Sequence, residues 1–204
     1  MTVATEISNT SNDAASIFSA ELPYVAEITV KGVCPILFHR WSVDGIEAKA
    51  KAAKGSKAKR EDDLESYVYR NEAKELCIPA EYFRMAIINT AKFKQDPRSP
   101  RKSAMDLFKA AIFPLDELCS LGIKEWDYVD RRRAPVQRQG ITRNRPAVKE
   151  GWETTVFLQC VLPEYVNPSL LNDVVQLAGR VNGVADHRPT FGRFQVVGFK
   201  VSNF

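Results

Sequence analysis

The sequence Asn167-Pro-Ser-Leu-Leu-Asn-Asp-Val-Val-Gln-Leu-Ala-Gly-Arg180 reads as a capped helix. A glycine-punctuated basic loop follows, Asn182-Gly-Val-Ala-Asp-His-Arg-Pro-Thr-Phe-Gly-Arg193, and then a terminal strand from Phe194 to Val201. Asn167 can accept a hydrogen bond from a free helix N–H, and Pro168 falls where its missing N–H costs nothing. Leu170, Leu171, Val174, Val175 and Ala178 share one face at helical spacing. After Gly183 the loop sets Arg188 and Arg193 on either side of a turn. Basic side chains and unpaired amides that point the same way can hold an anion. The same helix, loop and strand can equally serve as plain structural closure.

Working back from this unit, Trp152 to Val161 is dense in Thr, Val and Phe and reads as a strand. The segment before it, bounded by Pro135, Gly140 and Pro146, carries Arg131, Arg132, Arg133, Arg138, Arg143 and Arg145. Ile112 to Cys119 and Trp126 to Val129 look extended. Pro79 opens a helix with Phe83, Ala86, Ile87, Thr90 and Ala91 as its packing stripe, broken by a basic loop from Lys94 to Lys102. Ser103 reads as the cap of a second short helix, with Asp106 three residues on. At the start, Tyr24, Ala26, Ile28 and Val30 alternate with Glu27, Thr29 and Lys31, the pattern of a half-buried strand. Tyr67-Val-Tyr69 and Leu76-Cys-Ile78 resemble a short hairpin. Stripped of insertions, the order is strand, helix, strand, strand, helix, strand, with the arginine segment joining the two middle strands. The expected class is α+β: a ferredoxin-like (RRM-like) βαββαβ antiparallel sheet with helices on one face and inserted basic loops.

At 204 residues and 45% hydrophobic composition the chain can bury one good core. The expected organisation is a disordered lead-in over 1–20 and a single domain over 21–204, with insertions at about 42–75 and 94–125. The lead-in carries Glu6 and Asp13 but no Lys or Arg, so it lacks the charged start of a secretory signal, and no apolar run reaches membrane-spanning length. A cytoplasmic location is expected. Cys34, Cys77, Cys119 and Cys160 are scattered without ligand spacing, so neither metal nor other cofactor is expected. The net charge of +4 is small, but its distribution is uneven. Lys49 to Arg60, Lys92 to Lys102 and the arginine segment form three basic blocks, a segregation that favours a polyanion partner.

Two stretches resemble the RAMP superfamily, especially the repeating backbone subunit of CRISPR surveillance complexes, and related small phage and prophage proteins. The first is Gly32-Val-Cys-Pro-Ile-Leu-Phe-His-Arg-Trp41, similar to the family's first strand and guide-contacting turn. The second is Ala178-Gly-Arg-Val-Asn-Gly-Val-Ala-Asp-His-Arg-Pro-Thr-Phe-Gly-Arg-Phe194, similar to the glycine-rich loop before the last strand. Ala185 stands where many relatives place a second loop glycine. The resemblance implies the family's fold and a preference for single-stranded RNA or DNA.

Four functions compete on these residues. The first is a non-catalytic single-strand binder that assembles side by side along RNA or DNA, within a nucleoprotein complex and away from membranes. Arg40, Arg131, Arg132, Arg133, Arg138, Arg143, Arg145, Arg188 and Arg193 would meet phosphates, and Gly183 and Gly192 would shape the loop. Trp126, Tyr128 and Trp152 flank the arginines and can stack on bases or fill the core. The second is a metal-independent endoribonuclease using His39 and His187, with Tyr67 or Tyr69 assisting. A phage single-stranded DNA-binding or annealing factor would share the first reading's physics. A capsid or assembly protein with a basic inner face is the fourth.

Overall fold

A computed structural model describes residues 22–41, 47, 51, 63–136 and 139–204, with the backbone alone at 133–136 and 139–141. The lead-in and most of the first basic block lie outside the described residues. Strand β1 (Tyr24–Gly32) forms as its alternation predicts, with Tyr24, Ala26, Ile28 and Val30 fully buried and the intervening residues half-buried. It pairs antiparallel on one side with β11 (Glu153–Cys160), Tyr24 opposite Cys160 and Lys31 opposite Glu153. On its other side it pairs antiparallel with β12 (Phe194–Asn203), through a register shift between Thr29 and Val30. A short strand, β7 (Ile112–Pro114), borders β11, which gives a four-stranded sheet in the order β12-β1-β11-β7.

The two longer described helices lie in connections of this sheet. Helix α1 (Ala80–Ala91) falls between β1 and β7, and its stripe of Phe83, Ala86, Ile87, Thr90 and Ala91 is buried as the spacing requires. Helix α3 (Pro168–Val181) falls between β11 and β12. Its cap forms as read: the Asn167 side chain accepts from Leu170 N at 2.9 Å. Leu171, Val174, Val175 and Ala178 are buried in the same core as the inward face of β1. Phe83 of α1 meets Phe194 of β12 edge to face at 5.7 Å, which joins helix to sheet.

Three smaller sheets surround this frame: β3 (Tyr69–Arg70), β4 (Leu76–Pro79) and β8 (Leu118–Ser120); β2 (Ile36–Leu37), β10 (Gln139–Val148) and β9 (Tyr128–Val136); and the hairpin β5 (Gln95–Asp96) with β6 (Ser99–Ser103). The described chain is thus mixed α+β, with mostly antiparallel sheets and three α-helices.

The structure departs from the sequence reading at four places. Ser103 is the last residue of β6, paired with Gln95, so it does not cap helix α2 (Met105–Ala111), whose N-cap is Ala104 without a side-chain bond. The extended run from Ile112 divides at Pro114, because β7 joins the four-stranded sheet whereas β8 pairs with β4. Residues 94–125 are therefore no simple insertion: Leu107, Phe108, Ala111 and Ile112 lie in the core. The arginine segment, finally, is a β-hairpin, with Arg131 opposite Asn144, Arg132 opposite Arg143 and Arg145 opposite Asp130.

Candidate nucleic-acid interface

The two motifs singled out in the sequence are stitched together by backbone hydrogen bonds. Val33 N donates to Arg193 O at 2.9 Å, Gly192 N to Pro35 O at 2.9 Å, and Asp186 N to Leu37 O at 3.1 Å. Within the loop, Val184 N donates to Gly192 O at 2.9 Å and closes its neck. Ala185 adopts φ +64°, the left-handed form that glycine takes freely. The loop keeps its tight backbone with alanine at that position, at a conformational cost of about 1–2 kcal/mol.

Between this loop and the elements it faces lies a cavity of about 230 Å³, lined by Phe38, His39, Tyr69, Ile78, Pro79, Tyr82, Ala185, Asp186 and Arg188. His39 stacks on Tyr67 with centroids 4.6 Å apart, and its Nε2 lies 3.4 Å from Arg143 Nη1. Burial, and then the Arg143 charge, push the His39 pKa below its usual value, so the ring is neutral at neutral pH. The Tyr69 and Tyr82 hydroxyls are 3.2 Å apart. Burial, followed by that hydrogen bond, raises the Tyr82 pKa and keeps its phenol protonated. Arg40 lies over the Tyr69 ring at 5.0 Å, and Arg132 over Phe191 at 4.6 Å, both within cation–π range.

The arginines divide by partner. Arg145 is 3% exposed and its Nε bonds Asp186, so it braces the loop from inside and is withdrawn from the set expected to meet phosphate. The sequence reading erred there because a β-hairpin sends alternate side chains to opposite faces. Arg132 pairs with the buried Asp130 at 2.8 Å while stacking on Phe191. Arg131 is exposed, and Arg40, Arg188 and Arg193 are also exposed. The side chains of Arg133 and Arg138 lie outside the described residues. His187 is exposed with its ring tilted against Phe191 at 5.7 Å, and it does not line the cavity that His39 lines. The two histidines are not brought together there.

Of the flanking aromatics, Trp152 is buried at 5% exposure and its Nε1 donates to Cys34 O at 3.0 Å, a core role. Trp126 packs on the main core, and Tyr128 packs on Leu37, Ala147 and Phe191. The sequence reading missed Asp186, Tyr82 and Phe191 as site residues. Asp186 and Phe191 lie within the quoted loop, so the available signal was an acid and an aromatic among arginines.

The open face of the four-stranded sheet is different in character. Lys31 pairs with Glu153 at 2.7 Å, Lys200 with Glu27 at 3.0 Å, and Thr29 with Thr155 at 3.1 Å. Cross-strand partners there offset one another's charge, on the face that such sheets often use for single strands. Among the described residues, no group of three or more His, Cys, Asp or Glu side chains is placed to hold a metal ion, and no helix is long and apolar enough to cross a membrane.

No protein-family model and no curated protein matches the sequence. Solved structures do match the fold. A chain in a cryo-EM structure of the Type III-B Cmr-beta bound to cognate target RNA aligns with a TM-score of 0.51 and 10% sequence identity, over 89% of this chain. The aligned part is 61% of that chain, so the protein here spans about three fifths of its neighbour's length. At that identity the likeness is one of fold.

Proposed function

We propose that the protein is a non-catalytic single-stranded nucleic-acid-binding subunit that assembles side by side along RNA or DNA, with a RAMP-like version of the ferredoxin-like fold. The observation that carries this reading is the pairing of guanidinium groups with aromatic rings: Arg40 on Tyr69 and Arg143 beside His39 at the cavity wall, and Arg132 on Phe191 of the closing loop. Arginine forks pair phosphates and stack on bases, and aromatic rings accept unpaired bases without regard to sequence. The strand order β12-β1-β11-β7, with α1 between β1 and β7 and α3 between β11 and β12, supports the βαββαβ reading. The fold likeness to a chain of an RNA-bound complex supports RNA as the ligand class and a complex as the setting.

Single strands should bind with affinity that falls steeply with salt, the logarithmic slope being near −0.7 per phosphate contact. Fluorescence anisotropy over a salt series checks this, and a slope near zero or a preference for duplex refutes it. Running RNA and DNA strands in competition separates an RNA-binding complex subunit from a phage single-stranded DNA-binding or annealing factor. The two-histidine endoribonuclease has less support, because His39 lines the cavity and His187 does not.

A further inference from the structure

The lining of the cavity is unlike a phosphate site. Asp186, already paired with Arg145, contributes a carboxylate beside the Arg188 guanidinium, while His39 is neutral at neutral pH. A phosphate placed there would meet the Asp186 carboxylate at close range. A neutral planar group with apolar faces and an edge that both donates and accepts hydrogen bonds suits this lining.

The polar groups are specific in kind. Asp186 gives one oxygen, Oδ2, to Arg145, and carboxylate oxygens retain further acceptor sites. Tyr69 and Tyr82 share one hydrogen bond, in which only one hydroxyl donates, so the other keeps its hydrogen for a ligand. Phe38, Ile78, Pro79 and Ala185 supply the apolar remainder. At about 230 Å³ the space is smaller than the ~300–1,000 Å³ of sites for drug-sized ligands, a size suited to one base and not to a nucleoside triphosphate.

We infer that this cavity receives one unpaired nucleobase from the bound strand, and that it favours guanine. The inference rests on the single-strand-binding reading. Guanine presents N1–H and the N2 amino group together, which suit a carboxylate, and O6 with N7, which suit an arginine fork. Uracil offers one N–H donor, leaving Asp186 or Arg188 less well matched. Phosphates on either side of the inserted base would then fall to the exposed arginines outside the cavity, Arg40 and Arg131 among them. Sequence preference would be confined to one position per protomer, on a background of sequence-tolerant binding.

The test compares a short oligouridine with the same strand carrying one central guanosine, and the corresponding thymidine strands in DNA, by fluorescence anisotropy. The strand with guanosine should bind about tenfold tighter to the wild-type protein, the gap expected of one good bidentate contact. Arg188→Gln and Tyr82→Phe should each narrow that gap, with thermal melting used to confirm that both fold. Tyr82→Phe keeps the ring but removes the Tyr69–Tyr82 hydroxyl pair, so it tests that pair even if Arg188→Gln also weakens phosphate contact. Equal affinity of the wild type for the two strands overturns the base pocket and leaves the binder standing. A guanosine preference that neither variant reduces places the reading elsewhere and also overturns it. Binding to neither strand removes the binder reading and the pocket with it.

Discussion

Replacing Gly192 by alanine should cost about 3–4 kcal/mol of stability, and the figure can be built from parts. Gly192 sits at φ +70°, where a side chain costs about 1–2 kcal/mol. A Cβ there would lie 1.9 Å from the Val184 carbonyl oxygen, far inside any allowed contact and against backbone that cannot swing aside. The neck of the loop must therefore part, giving up Val184 N to Gly192 O and Gly192 N to Pro35 O, both 2.9 Å. At about 1 kcal/mol net per hydrogen bond these add roughly 2 kcal/mol. The loss is a large share of the ~5–15 kcal/mol that holds a typical domain folded. Gly122 is the control: it has φ +68° with nothing within 4 Å of its notional Cβ, so Gly122→Ala should cost only the conformational part, about 1–2 kcal/mol. Urea denaturation of both variants measures the difference as a shift in midpoint at constant slope. If Gly192→Ala proved as mild as Gly122→Ala, the loop would not be braced against residues 33–37. The account of the cavity wall would then fail with it.

Three further outcomes follow from the same geometry. Arg131→Ala should weaken single-strand binding and lower the salt slope by about 0.7, with stability within about 0.5 kcal/mol of wild type, measured by anisotropy and thermal melting; an unchanged slope would remove Arg131 from the contact set. Asp186→Ala should destabilise the fold by about 3–5 kcal/mol in urea denaturation, because it leaves the Arg145 charge buried without its partner. Acid should destabilise the protein in a defined window. The hydrogen bonds and charge of Arg98 hold Asp96 at a pKa of about 2, and Arg70 lowers that of Glu65. These folded-state values lie below the unfolded ones, so their stabilisation is complete above the usual carboxylate range near 4 and fades as pH falls towards about 2. Urea midpoints across that range should decline, and Asp96→Asn should flatten part of the decline.

The parts of the fold legible in the sequence were those where one periodicity governs a whole element. β1 alternates over its full length, the α3 stripe repeats at helical spacing, and the Asn167-Pro168 cap is decided by groups three residues apart. The parts misread were those decided by distant partners. Nothing local to Ile112–Pro114 and Leu118–Ser120 says that they pair with β11 and β4 respectively, because the choice is made by strands more than thirty residues away in one direction or the other. Likewise Ser103 satisfies the local rule for a cap, and pairing with Gln95 in a hairpin overrides it.

The site was legible by composition and not by partner. Reading six arginines between Arg131 and Arg145 as one basic finger treats them as equivalent, whereas the β-hairpin sorts them by face. Arg145 is turned inward against Asp186, Arg132 is held by Asp130 against Phe191, and Arg131 is left exposed. Charge counting therefore overstates the free positive surface and hides what the paired arginines do. Arg145 fixes Asp186, and Asp186 adds a carboxylate acceptor to the cavity wall. An ion pair of this kind, with its arginine buried, adds little net stability compared with apolar packing, since desolvation of the guanidinium offsets much of the attraction. Its contribution here is to place a carboxylate, with a defined orientation, inside an arginine-rich surface. If the cavity takes a base as proposed, the Arg145–Asp186 pair is the feature that would let this arginine-rich surface tell one base from another.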